Sequence, residues 1–329
     1  MTDIRQPRGL ACALRDPLEW GAFAGLARDA EAFGYSAVFL PEIAGRDAFA
    51  ALMGLAGETR DLLLGTGIVP MTSRTLQLTA MAAATVHERS GGRAIVGVGT
   101  GPAIPGALQR LRVQVTALHA LFGGGTVEIE GRRTSLSLSL DLGAPPPVWI
   151  SALGPKAVQL AGEIADGVLL NWCTPERVAG AKSAVRDAAR SAGRDPDAVT
   201  VAVYVRASVG GDPEAAVAAL SRAAAEYASY PAYARQFAAM GLSAMVEKAA
   251  SGDASELARA LCLAGDPADA RSRLERFLEA GADLAVVYPV AADDRGDGHR
   301  RDGRAASIRL TLEALAPAAL APAAPAEAG

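Results

Sequence analysis

Short runs of Val, Ile, Leu and Ala alternate along this chain with longer Ala-rich segments whose apolar positions return at helical spacing. Runs that stay apolar throughout mark parallel strands buried on both faces, and the longer amphipathic segments are the helices crossing between them. Strands are expected at residues 9–14, 37–40, 62–69, 94–98, 148–151, 167–170, 199–207 and 284–289, each with room for a helix behind it. Asp16-Pro17, Thr174-Pro175-Glu176 and Asp266-Pro267 read as helix starts, a capping residue followed by a first-turn proline, while Gly34, Gly193 and Gly281 lie where helices should stop. Eight such βα units without a linker favour an α/β fold closed into a (β/α)8 TIM barrel over an open doubly wound sheet.

Two segments interrupt the rhythm. Residues 123–140, GGGTVEIEGRRTSLSLSL, read as a glycine-hinged hairpin with Val127, Ile129 and then Ser and Leu alternating at period two, an excursion before the fifth strand. Residues 212–264 are Ala-rich and helical, aromatic in the middle (EYASYPAYARQF), and exceed what one barrel helix requires. Such an insertion covers the barrel mouth or forms a subunit interface. One barrel domain is expected over residues 1–314, with an Ala/Pro-rich tail at 315–329; neither the tail nor the polar run 293–304 needs a fixed fold.

Composition narrows the function classes. Half the residues are apolar and 21% charged, enough material for one large core. With 32 basic against 36 acidic residues the net charge is −4, and no basic run interleaves with aromatics, so nucleic acid is not an expected partner. The first residues lack the layout of a signal peptide and no apolar stretch is long enough to span a bilayer, so a cytoplasmic location is expected. Cys12, Cys173 and Cys262 lie far apart inside apolar stretches and read as core, and His87, His119 and His299 show no metal-ligand spacing.

In a parallel barrel the reacting groups sit just after the strands. That rule selects Glu42 with Arg46 and Asp47, then Gly67-Ile68 and Met71-Thr72, then Gly99-Thr100-Gly101, the segment SALGPK at 151–156, and Asn171-Trp172. In SALGPK, small residues permit close backbone approach, and a helix starting at Pro155 presents unpaired N–H groups and a positive dipole end. Lys156 opposes that dipole but suits an anion, so the segment reads as a phosphate site; the alternative is a tight βα turn with a solvated lysine. Glu42 either holds a heterocycle or relays a proton, or it pairs with Arg46 one helical turn on. No histidine follows a strand and no nucleophile–base pair is evident, which points away from hydrolysis and toward cofactor chemistry.

The segments LGTGIVPMTSRTLQLTAMAAATVHERSGGRAIVGVGTG and PVWISALGPKAVQLAGEIADGVLLNWCTPERV resemble the luciferase-like monooxygenase superfamily, and within it the branch that uses coenzyme F420. The similarity covers most of residues 9–210 and returns in LAGDPADARSRLERFLEAGADLAVVYPV. It implies a (β/α)8 barrel with the cofactor's ring at the strand ends and its phosphate on Ser151, Ala152, Leu153, Gly154, Pro155 and Lys156. A non-prolyl cis peptide behind the ring falls on Gly67-Ile68, Gly99 and Asn171 belong to the cofactor site, Glu42 stands as the acid beside the ring, and Thr100 hydrogen-bonds ring or substrate. A homodimer is implied as well. The chain departs from the pattern in three places: the segment after the fourth strand is short, His87 stands where relatives carry aspartate, and no aromatic follows Glu42. The function expected is an F420-dependent oxidoreductase that moves a hydride to or from a small organic substrate, an imine or conjugated alkene. The alternatives are an FMN-dependent two-component monooxygenase, or a member that has lost redox activity and works as a binding protein through Tyr227, Tyr230, Tyr233 and Phe237.

Overall fold

All eight apolar runs form strands. The computed structural model describes residues 4, 6–15, 17–101, 104–129, 131–136, 144–292 and 301–317. In chain order the strands are β1 (Gly9–Ala13), β2 (Ala37–Leu40), β3 (Leu63–Thr66), β4 (Val69–Pro70), β5 (Ala94–Gly99), β6 (Thr126–Ile129) and β7 (Arg132–Ser135). They continue with β8 (Val148–Ala152), β9 (Gly167–Asn171), β10 (Thr200–Val209), β11 (Leu263–Gly265) and β12 (Leu284–Pro289). Pairing runs β1, β2, β3, β5, β8, β9, β10, β12, every pair parallel, and β12 returns to β1 with Gly9 opposite Leu284 and Cys12 opposite Val287. The sheet therefore closes as a (β/α)8 barrel.

The surrounding helices are α1 (Trp20–Ala32), α2 (Ala48–Glu58), α3 (Leu76–Arg89), α4 (Ala107–Phe122), α5 (Pro155–Ile164) and α6 (Pro175–Ser191). After β10 come α7 (Pro213–Ala228), α8 (Pro231–Ala239), α9 (Ser243–Ala250) and α10 (Ser255–Leu261), then α11 (Pro267–Glu279) and α12 (Arg301–Ala314). Thr174 caps α6 by accepting from the Arg177 N–H, Asp266 caps α11, and Gly34, Gly193 and Gly281 sit at positive φ where helices end. The first helix departs from expectation. It starts at Trp20 with Glu19 as N-cap, because Leu18 is buried in the core and its carbonyl is taken by the Arg46 guanidinium. Asp16 lies outside the described residues, as do His299, residues 137–140 of the expected hairpin and most of the tail. β6 and β7 pair antiparallel, Thr126 opposite Ser135. β11, which extends the sheet beside β10, falls at the end of a stretch whose composition reads as helix throughout.

Strand side chains alternate between two cores. Outward residues such as Leu10, Cys12, Val38, Leu64, Val96 and Val168 pack under the helices. Inward residues fill the barrel: Ala11, Ala13, Ala37 and Ala202 make room for Phe39 stacked on Trp149 (centroids 5.4 Å apart) and for Tyr204 edge-on to Tyr288 (5.2 Å). A third cluster joins Trp172, from the end of β9, to Leu220, Phe237 and Leu257 of the inserted helices.

Glu31, in the last turn of α1, accepts the backbone N–H groups of Arg60, Asp61 and Leu62 on one oxygen at 2.9, 2.7 and 2.9 Å, fixing the approach to β3. Burial works to raise its pKa, yet these donors and the nearby Arg93 charge hold it below the ordinary glutamate value. A carboxylate whose pKa falls on folding stabilises the protein above its unfolded pKa, about 4.3, and the contribution is lost as pH drops through the lower folded value. The wild type is expected to melt above Glu31→Gln at neutral pH, with the gap in Tm closing as pH is lowered from about 5 through the carboxylate range. A gap independent of pH would show that the charge plays no part.

Candidate active site

The third strand is interrupted at the point where the resemblance places the ring. Gly65 pairs with Ile95 but Val69 with Val98, so four steps along one strand match three along its neighbour, a bulge over residues 66–68. The Gly67-Ile68 peptide bond within it is cis. The bulge removes regular ladder partners, and three neighbours supply others. Thr66, fully buried, donates its hydroxyl to the Gly97 carbonyl (2.7 Å) and accepts from the Gly97 N–H (2.8 Å). Tyr204 on β10 donates to the Gly67 carbonyl at 2.7 Å, and the Glu42 backbone N–H donates to the Ile68 carbonyl at 3.1 Å. A Cβ on Gly67 would lie 1.8 Å from the Tyr204 hydroxyl, so this approach admits only glycine.

Above the bulge opens a cleft of about 710 Å³ at the carboxyl ends of the strands. Its floor is Gly67, Ile68, Leu169 and Tyr204. One wall is the turn of residues 151–154 with Ala157, the other is Thr100, Gly101 and the start of α4, and Tyr230 and Tyr233 close it from the inserted helices. The loop between β5 and α4 is short, α4 beginning at Ala107.

Two helices that start at the cleft have a glycine N-cap and no side-chain bond, α4 at Gly106 and α5 at Gly154, whereas α2, α3, α6, α7 and α11 are capped by the side chains of Asp47, Thr75, Thr174, Asp212 and Asp266. A Cβ on Gly154 would meet nothing within 4 Å, so the residue is not small for packing reasons. First-turn N–H groups without a cap beside an open cleft fit an anion such as the phosphate of a nucleotide-like cofactor.

The wall at β9 is held by a polar network. Arg206, buried at 4% exposure, donates to the Asn171 side-chain oxygen at 2.6 Å, and the Asn171 amide donates to the Tyr233 hydroxyl at 2.8 Å. Trp172 follows with φ at +53°, a conformation that costs a non-glycine residue about 1–2 kcal/mol. Gln236 on α8 holds it by donating to the carbonyls of Asn171 (2.7 Å) and Trp172 (2.8 Å). Burial pushes the Tyr233 phenol up to about 12, so at neutral pH it stays a hydrogen-bonding hydroxyl.

Of the residues singled out in the sequence, Gly67, Ile68, Thr100, Ser151, Ala152, Leu153, Gly154 and Asn171 line this one cleft. Gly99 lies beneath it, a Cβ there being 2.5 Å from Ile68 Cδ1, and Pro155 and the exposed Lys156 stand outside the lining. Glu42 is also outside. Its carboxylate accepts from the Ala48 N–H at the start of α2 (3.0 Å) and pairs with Arg74 at 3.1 Å. The expected bridge to Arg46 does not form, because Arg74 occupies the space between Glu42 and Asp47 while Arg46 turns to the Leu18 carbonyl and packs on the Phe23 ring. Tyr204, Arg206 and Gln236 escaped the sequence reading, while Tyr233, read there as part of a binding surface, lines the cleft from α8. For the first two the signal was present: a tyrosine and an arginine two apart inside the apolar run 199–207 must share the inward face.

The cleft's described lining carries the hydroxyls of Ser151 and Thr100 but no Cys, His, Lys, Asp or Glu. Cys12, Cys173 and Cys262 are buried and unbridged, and burial pushes the Cys173 and Cys262 thiols up to about 12. His87 is buried at the end of α3, its Nε2 2.9 Å from the Ala144 carbonyl, and His119 meets Asp166, so neither reaches the site. Among the described residues no group of three His, Cys, Asp or Glu is placed to hold a metal, and no helix is long and apolar enough to cross a membrane.

The fold defines a (β/α)8-barrel protein with a cleft at the carboxyl ends of its strands. It belongs to the luciferase-like monooxygenase family, whose model matches residues 7–284. The chain is 31% identical over 199 residues to the 5,10-methylenetetrahydromethanopterin reductase of Methanolobus tindarius, 56% of this chain and 61% of that protein. It is 33% identical over 221 residues to the F420-dependent glucose-6-phosphate dehydrogenase of Nakamurella multipartita, 59% of this chain and 65% of that one. It thus spans less than two thirds of either relative. Among solved structures, the coenzyme F420-dependent tetrahydromethanopterin reductase of Methanopyrus kandleri shares the fold at a TM-score of 0.73 with 23% identity, over 94% of this chain and 99% of that one.

Proposed function

We propose that this protein is an F420-dependent oxidoreductase that exchanges a hydride with a small organic substrate, an imine or a conjugated alkene. The observation that carries this reading is the pairing, in one cleft, of the bulge at residues 66–68 with the uncapped α5 terminus. One offers a flat backbone floor and the other an anion site, and relatives on both sides of the comparison are named for F420. When bound, the deazaflavin supplies the hydride at its C5 carbon. The chain's own work is then binding, orientation and exclusion of water.

In this reading the backbone of residues 151–154 and the first turn of α5 hold the phosphate, with Lys156 adding an outer positive charge. Gly67 and Ile68 back the ring, while Asn171, held by Arg206 and Tyr233, sets its edge. Thr100 offers a hydroxyl to ring or substrate from the opposite wall. Glu42 acts as a positioning residue, its N–H on Ile68 and its carboxylate on α2 and Arg74. A homodimer belongs to the same proposal, with Leu78 and Met81 exposed on α3 as apolar surface for a second copy.

The test is a fluorescence titration of the purified protein with F420 and, separately, with FMN. F420 is expected to bind in the micromolar range and more tightly than FMN. Lys156→Ala should weaken it only about two- to fivefold, since an exposed charge contributes at most about 1 kcal/mol. Tighter binding of FMN would replace hydride exchange by oxygen chemistry. Binding of neither would sink the redox reading and leave a barrel put to another use.

A further inference from the structure

A second cavity, of about 390 Å³, opens where β1, β10 and β12 end. Four arginines converge on it from four separate elements: Arg15 after β1, Arg206 from β10, Arg222 from α7 and Arg304 from α12. Glu226 is the one carboxylate among its described lining residues. In a chain whose net charge is −4, this concentration of guanidinium does not follow from general basicity.

Arg206 is the most telling of the four. It is 4% exposed, and its guanidinium lies over the rings of Trp172 (4.1 Å), Tyr227 (4.7 Å) and Tyr288 (4.7 Å). The aromatic faces and the bond to Asn171 hold it rigidly without neutralising it. A preorganised guanidinium between flat rings, with further arginines converging from the rim, is suited to a carboxylate or phosphate gripped by two parallel N–H donors.

The position matters as much as the charge. Tyr204 lines the cleft and Arg206, two residues on, lines this cavity, so both face the barrel interior; the Tyr204 and Tyr288 rings touch edge to face at 5.2 Å across the boundary. The cavity therefore adjoins the bulge-floored cleft across the Tyr204–Tyr288 pair, on the side away from the α5 terminus.

We propose that the arginine-lined cavity binds an anionic group, carboxylate or phosphate, and that this group belongs to the substrate. The binding site stands on its own; its assignment to the substrate rests on the oxidoreductase reading above, and it narrows the substrate class to an imine or conjugated alkene carrying such an anion. The substrate is then anchored at Arg206 with its reducible end toward Gly67 and Ile68. Convergent positive charge also raises the local concentration of such molecules.

The test is calorimetric titration of the cofactor-free protein at low ionic strength with inorganic phosphate, with succinate and with uncharged succinamide. Arg15→Gln combined with Arg222→Gln is the diagnostic variant, both side chains being exposed, and circular dichroism checks its fold. Phosphate or succinate is expected to bind while succinamide does not. Binding should weaken about tenfold or more in the double variant, since a hydrogen bond to a charged group is worth roughly that factor, and should fall as salt is added. Phosphate preference points to a phosphoester substrate and succinate preference to a carboxylate. Absence of binding, or binding that the double variant keeps and Lys156→Ala loses, overturns the proposal. F420 affinity is measured on the same samples and is expected to be unchanged in the double variant. Arginine-dependent anion binding without F420 binding would keep the site and remove the redox reading, and the converse result would do the reverse.

Discussion

Thr66→Val is expected to lower stability by about 3 kcal/mol, whereas Thr66→Ser is expected to stay within about 1 kcal/mol of wild type. Valine matches threonine in shape, so the cost is not a cavity. It is the loss of the hydroxyl bonded to both backbone groups of Gly97 at the bulge, where each buried group left unpaired costs about 1–3 kcal/mol. Repair from elsewhere is blocked, because Thr66 is fully buried and the Gly97 Cα lies against the Thr66 carbonyl, where even a Cβ would approach to 2.1 Å. Denaturant unfolding followed by circular dichroism measures the difference. Equal stabilities for the valine and serine variants would mean that shape rather than hydrogen bonding holds the bulge. The same valine variant is expected to lose F420 affinity, since the floor of the cleft is what the hydroxyl supports.

Gly154→Asp is expected to act in opposite directions on folding and on binding. At the N-cap of α5 the backbone already has the extended conformation that a capping aspartate uses, with φ −90° and ψ 166°. Its carboxylate has open space and accepts the first-turn N–H groups, so Tm is expected to hold or rise by a few degrees. The same oxygens then occupy the place proposed for the phosphate and repel it, and F420 affinity is expected to fall about a hundredfold or more. Unchanged affinity would remove the phosphate from the α5 terminus while leaving the barrel untouched.

The barrel was legible in the chain because its strands are buried on both faces, and a continuous apolar run between amphipathic helices has few other solutions. The strand ends also named part of the cleft's lining in advance, since small residues after a strand, as in residues 151–154, mark backbone approach. Glu42 shows where that rule stops. A carboxylate after a strand was visible, but its partner Arg74 comes from a different βα unit, 32 residues away, and only the fold brings the two together. Sequence spacing suggested Arg46 instead, because local distance was the only distance it could measure. Gln236 and the bond that ties Tyr233 to Asn171 were hidden for the same reason: both reach the site from an insertion whose packing on Trp172 depends on tertiary contacts.

The inserted helices have a consequence for how this scaffold changes over time. Their apolar cluster is separate from the barrel's and takes in Trp172 from the end of β9, with Gln236 and Arg206 beside that ring. Substitutions in α8 away from Tyr233 and Gln236, such as at Ala232 in the ceiling of the cleft, therefore leave the α5 terminus and the bonds to Asn171 and Trp172 in place. On the proposed reading, the cofactor's anion site and the ceiling that faces the substrate are inherited on different pieces of the chain, so new specificities are accessible without remaking the α5 terminus.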